Sequence, residues 1–107
     1  MTQDQKSLIE KIRQQLNVTL PDGSKVLLYG SQARGDNHED SDWDILILVN
    51  KPRVTLAENT AISYPLVMLG WNNGVEINPV LYTTDEWRSN AGTPFYENVE
   101  RDGILIS

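Results

Sequence analysis

Cysteine is missing from this 107-residue chain, and His38 is its one histidine. Disulfides and thiolate metal sites are therefore excluded, and any bound metal must sit on oxygen or on that imidazole. Basic side chains are scarce as well: nine Lys and Arg against fifteen Asp and Glu leave a net charge of −6. Contacts to a nucleic-acid backbone come from clustered Lys and Arg, so this small, scattered set argues against direct nucleic-acid binding. No stretch approaches the roughly 20 apolar residues that cross a bilayer. The leading MTQDQKSLIEKIRQQL carries charges and glutamines throughout, with neither the apolar core nor the small-residue cleavage site of a secretory leader. The expectation is a cytoplasmic protein that does not enter a membrane.

What is present is an ordinary globular composition, 39% hydrophobic and 22% charged, in a length that suits one domain over residues 1–107. Leu8, Ile9, Ile12 and Leu16 recur at helical spacing, which predicts an amphipathic helix ended by the turn Pro21-Asp22-Gly23. Lys25 to Tyr29 reads as a strand broken by Gly30, and the small-residue segment Ser31 to Gly35 can start a helical turn. Trp43 to Val49 reads as a second strand whose unbroken Ile45-Leu46-Ile47-Leu48-Val49 implies burial on both faces. Thr55 to Leu69 has the length of a helix, with Pro65 expected to kink or end it. Val75 to Tyr82 alternates as a third strand, and Pro79 places it at an edge or bulge. Thr84 opens a short helix, Thr93-Pro94 starts another that closes at Gly103, and Ile104 to Ile106 reads as a last strand. This order predicts an α+β fold, a mixed sheet with helices packed on it.

The chemistry concentrates in Gly30-Ser31-Gln32-Ala33-Arg34-Gly35 and in Ser41-Asp42-Trp43-Asp44, which runs directly into the buried strand. A glycine after a strand lets backbone approach a phosphate, and small residues at the start of a helical turn present amide donors. Ser31 adds a hydroxyl, and Arg34, one turn on, can pair with a phosphate oxygen. Asp42 and Asp44 share one face of a strand by its period of two. Two adjacent carboxylates repel, and a pair of Mg²⁺ ions, bound by carboxylate and phosphate oxygens, explains an arrangement that stability alone does not favour. Glu76, between Val75 and Ile77, is the candidate third acid, with Asn78 its neighbour on the same face.

Other readings stand beside these. Arg34 can instead form an ion pair with Asp36 or Asp40, and Ser41 can cap its turn rather than touch phosphate. His38 reads as a solvent-exposed loop residue. Trp71, Trp87 and Tyr96 read as aromatics filling the edge of a core, and Asp85, Glu86, Glu97, Glu100 and Asp102 as solvated helix faces and caps.

Taken together, the leading helix, GSQARG, SDWDILILV, the VEINPV strand and the closing NVERDGILI resemble the minimal nucleotidyltransferases of the DNA polymerase beta superfamily. The resemblance covers nearly the whole chain and implies the nucleotidyltransferase fold. It implies that Gly30 and Ser31 hold a nucleoside triphosphate, ATP before others, and that Arg34 contacts or supports it. It implies that Asp42 and Asp44 bridge two Mg²⁺ or Mn²⁺ ions, and that Glu76 completes the metal site or positions the acceptor hydroxyl. The family's third acid is most often aspartate, so Glu76 is a departure by one methylene. The activity so implied is transfer of a nucleoside monophosphate to an acceptor hydroxyl with release of pyrophosphate. Stand-alone members often pair with a helical HEPN-type protein in toxin–antitoxin modules, which implies either modification of that partner or its neutralisation by contact. A small-molecule acceptor such as an aminoglycoside is a third reading.

Overall fold

The computed structural model describes residues 1–38 and 41–107. The first helix, α1 (Gln3–Asn17), begins at a capping box in which Thr2 accepts from the Gln5 amide and Gln5 returns the bond, satisfying two otherwise orphaned donors. Leu8, Ile12 and Leu16, spaced by four, form its buried stripe. The strands β1 (Lys25–Tyr29) and β2 (Trp43–Val49) flank a four-residue helix, α2 (Ser31–Arg34). Then come α3 (Leu56–Asn72), β3 (Ile77–Thr83), α4 (Thr84–Ser89), α5 (Pro94–Asp102) and β4 (Ile104–Leu105).

The sheet order is β3-β2-β1-β4. β1 runs antiparallel to β2 and to β4, and β2 runs parallel to β3, which makes the sheet mixed as the sequence implied. β2 is central and buried from Ile45 to Val49. Its odd-numbered residues Trp43, Ile45, Ile47 and Val49 pack under α1 and α3 against Leu8, Ile12, Ile62 and Leu66. Leu46 and Leu48 face the other way, onto Trp87 of α4 and Val99 of α5. Helices thus cover both faces of one thin sheet.

Two expected boundaries shift. Helix α3 passes through Pro65 and continues to Asn72. The carbonyl of Ala61, which loses its donor to Pro65, lies with it on the exposed side where water can serve it, while Leu66 and Gly70 keep the next turns against the sheet. Gly70 has a packing reason: a side chain there would press on Ile77 and the Val75 carbonyl. The Val75 amide bonds back to the Gly70 carbonyl at 2.9 Å, so it closes the helix and the strand starts at Ile77 rather than at Val75. Pro79 sits on β3, an edge strand, as a residue without a backbone donor requires. Trp87 and Tyr96 fill the second core layer, whereas Trp71 is 61% exposed. No helix is long and apolar enough to cross a membrane among the described residues.

Candidate functional site

Because β1 is antiparallel to β2 and β2 parallel to β3, the C-terminal end of β1 and the N-terminal ends of β2 and β3 meet at one end of the sheet. The GSQARG turn therefore lies beside the Asp-Trp-Asp entry and the start of the third strand. Tyr29 pairs with Asp44, and Asp44 with Asn78. These three side chains share the face that carries Leu46 and Leu48, at the edge of the layer where the Tyr29 ring packs against Phe95 of α5, centroids 5.4 Å apart. Buried Trp43, between the two acids, points to the opposite layer, while Asn78, the strand partner of Asp44, reaches Asp42.

Gly30 is held at φ +75°, a conformation that costs other residues free energy. A Cβ there would collide with Oδ2 of Asp44. The carboxylate thus reaches the backbone of the turn, and glycine is needed for room as well as for conformation. The Gly30 carbonyl accepts from the Ala33 and Arg34 amides, both at 3.1 Å, closing α2. Ser31, half-buried, starts that turn. Gly35, at φ +81°, ends it in the left-handed region.

The polar contacts bear on several alternatives. Arg34 pairs with Asp36, Nε to Oδ2 3.1 Å, and this surface contact is worth little; Asp40 lies outside the described residues. Ser41 caps its turn by accepting the His38 amide at 2.9 Å, and His38 itself is exposed. Glu100, expected to be simply solvated, accepts the Trp87 indole N–H at 3.0 Å.

The electrostatics bear the mark of two acids close together. Burial pushes the Asp44 carboxyl above its ordinary value, and the nearby Asp42 charge adds to this, while Asn78 and Arg34 oppose it. Asn78 donates to Oδ2 of Asp42 at 3.1 Å. Tyr29 is pushed up to about 12 by burial, then by Asp44 and Tyr82, so its phenol remains a neutral donor at physiological pH.

Glu76 is placed less closely. Its carbonyl accepts the Trp43 amide at 2.9 Å, which puts Glu76 and Asp42 each one residue ahead of the Trp43–Ile77 pair. Its side chain is exposed. Among the described residues no three acids or histidines come within reach of a single ion, so the structure brings together Asp42, Asp44 and Asn78 and leaves Glu76 outside that group. A cavity of about 590 Å³, lined by α1, Gln32, Trp43 and Val75 among others, opens on the α1 side and not at the acids.

Sequence reasoning passed over Gln32. It is 6% exposed, accepts from Gln5 of α1 at 3.2 Å and donates to the Ser41 carbonyl at 3.2 Å. It thereby ties the turn after β1 to the residue before Asp42. A lone amide amid small residues gave no pattern by which to find it.

Comparison with known proteins follows the same outline. The family model for the nucleotidyltransferase domain matches residues 7–100. The chain is 33% identical over 100 residues to a candidate protein adenylyltransferase of Methanocaldococcus jannaschii, covering 92% of this chain and 95% of that protein. A second candidate protein adenylyltransferase of that organism is 29% identical over 85 residues, 77% of this chain and 76% of its own. A solved candidate minimal nucleotidyltransferase superposes with a TM-score of 0.64 at 28% identity, covering 92% of both chains. A toxin–antitoxin solved with AMP-PNP shares the fold, with a TM-score of 0.65 at 23% identity over 92% of this chain and 72% of that one.

Proposed function

The chain belongs to the nucleotidyltransferase domain family, and from that premise we propose that it moves a nucleoside monophosphate from ATP to a hydroxyl on a protein acceptor, releasing pyrophosphate. One observation carries this reading: Asp44, at the entry of β2, lies directly against the backbone of the Gly30 turn, and Asp42, one residue ahead of that strand, is held beside it by Asn78, the strand partner of Asp44. The resemblance to a candidate protein adenylyltransferase over nearly its full length supports both the donor and the class of acceptor.

The residues present suit Mg²⁺. Asp42 and Asp44 supply hard oxygen donors, neither hydrogen-bonded to a Lys or Arg among the described residues, and Mg²⁺ is commonly held by one or two carboxylates together with substrate phosphates. Asp42 and Asp44 would hold the metal, and Glu76, exposed one residue ahead of β3, would join them by turning inward. When bound, the ions would make the acceptor hydroxyl a better nucleophile and stabilise charge on the leaving oxygen. Amides of the Gly30 and Ser31 turn, with the Ser31 hydroxyl, bind the triphosphate, and Arg34 exchanges Asp36 for a phosphate oxygen. Asn78 orients Asp42, and Tyr29 and the Gly30 backbone confine Asp44. The acceptor hydroxyl then gives its proton to solvent and its oxygen bonds to the α-phosphorus as the bond to pyrophosphate breaks.

Incubation of the protein with α-labelled ATP, Mg²⁺ and a helical candidate partner tests the proposal: label should appear on the partner with wild type and vanish with Asp42→Ala and Asp44→Ala. A second reading, neutralisation of a partner by contact alone, is favoured by the net charge of −6, which suits a basic surface. Neutralisation that survives both alanine variants would select it.

A further inference from the structure

Helix α3 is apolar on two opposite sides. Ile62, Leu66 and Gly70 face the sheet. On the far side Ala57, Ala61, Tyr64, Met68 and Trp71 succeed one another at steps of four and three, the 3.5-residue repeat of a seam made for another helix. Tyr64 is 58% and Trp71 61% exposed, and no charged residue occurs from Asn59 to Val75. A helix with two opposite apolar sides calls for a packing partner on each, yet on this side Ala57, Ala61, Tyr64 and Trp71 are exposed and only Met68 is half-buried.

The geometry points to a second copy of this chain as the occupant, packed through α3 against α3 in antiparallel orientation about a two-fold axis. In that arrangement residues whose numbers sum to a constant oppose one another. A sum of 132 sets Trp71 over Ala61 of the other copy and Tyr64 against its Met68, and symmetry repeats both pairs. Each pair joins the two alternating positions of the repeat, which is how the layers of an antiparallel coiled coil are built, and the largest side chain meets the smallest. The charge pattern agrees. Two chains of net charge −6 repel through most of their surfaces, and the uncharged side of α3 allows contact without that penalty. The seam is about 22 Å long, and one helix pair buries less than the roughly 800 Å² per partner of a standard interface. The dimer is therefore a concentration-dependent one.

Sedimentation equilibrium of the full chain across the micromolar to millimolar range tests this. Wild type should pass from monomer to dimer, and Trp71→Glu or Tyr64→Glu should raise the dissociation constant by at least about tenfold with unchanged melting of the monomer. Leu105→Glu, at an exposed position on the opposite edge strand, should leave association unchanged. Because the chain lacks cysteine, orientation can be read by oxidation: Ala61→Cys mixed with Trp71→Cys should cross-link, and Ala61→Cys alone should not. A chain monomeric at every concentration, a dimer indifferent to Trp71→Glu, a dimer abolished by Leu105→Glu, or ready cross-linking of Ala61→Cys alone would each overturn the assignment.

Discussion

Replacing Asp44 by asparagine should make the free protein more stable and blind to its ligands. The two acids are i and i+2 at the entry of β2, about 6.8 Å apart at Cα for extended backbone, and at an effective dielectric of about 40 to 80 their repulsion is roughly 0.6–1.2 kcal/mol. Burial acts in the same direction and is the larger cause of the raised Asp44 pKa, but the side chain is part-exposed and solvent screening limits the total. A gain near 1 kcal/mol is expected, or about 4 °C in Tm for a chain of this size. The sign depends on pH. A carboxyl whose folded pKa lies above its unfolded one binds its proton more tightly in the native state. Stability therefore falls as pH rises from about the ordinary value of 3.8 through the raised value, and it stays lost above. The advantage of Asp44→Asn should be full at neutral pH and absent below the ordinary value. Thermal melts at both pH values, with and without Mg²⁺ and a non-hydrolysable ATP analogue, provide the assay. Wild type should gain about 2.7 kcal/mol at a ligand concentration one hundred times Kd, and the variant little. A variant less stable than wild type at neutral pH, or one equally stabilised by ligand, would refute this account of Asp44.

Gly30→Ala should cost about 1–3 kcal/mol, since it strains a positive φ and displaces the Asp44 carboxylate; urea midpoints and transfer assays should both report the loss. Arg34→Ala should change stability by less than about 0.5 kcal/mol, because its pair with Asp36 is exposed, while calorimetric titration shows weaker nucleotide binding. Pro65→Ala, which restores a helical donor on an exposed face, should raise the melting temperature, as proline costs up to about 3 kcal/mol within a helix. Leu66→Ala, on α3 and fully buried against the sheet, should cost about 2–5 kcal/mol without altering nucleotide affinity relative to the folded fraction.

The central strand was legible because burial on both faces leaves a continuous apolar signal: Ile45 to Val49 divide between two layers just as an unbroken run demands. Two helices are legible from local signals of their own, α1 from its single buried stripe and α5 from the Thr93 cap with Pro94 behind it. Boundaries set by tertiary contact were not. Pro65 looks like a terminator until the sheet holds Leu66 and Gly70 in place, and Val75 looks like a strand residue until its amide is found on the Gly70 carbonyl. Trp71, near an element end, reads as an aromatic filling the edge of a core, and the structure exposes it because α3 already fills its sheet-facing side with smaller residues.

The site divides along the same line. Residues adjacent in sequence, Gly30 with Ser31 and Asp42 with Asp44, could be found from spacing because the chemistry imposes a local pattern. Contributions that depend on pairing across elements could not: Gln32 joins α1 to the residue before Asp42, and Tyr29 faces Asp44 through strand register. Glu76 lies between these cases. Alternation put it next to Asn78, but the strand that would fix its direction begins one residue later, at Ile77, and an exposed side chain at such an end is held by little. If ligand binding draws it inward, Glu76→Gln should leave the free protein's stability unchanged and reduce only the stabilisation by Mg²⁺ with nucleotide. Equal ligand stabilisation in Glu76→Gln and wild type would leave Asp42 and Asp44 as the metal-holding pair and remove Glu76 from the site.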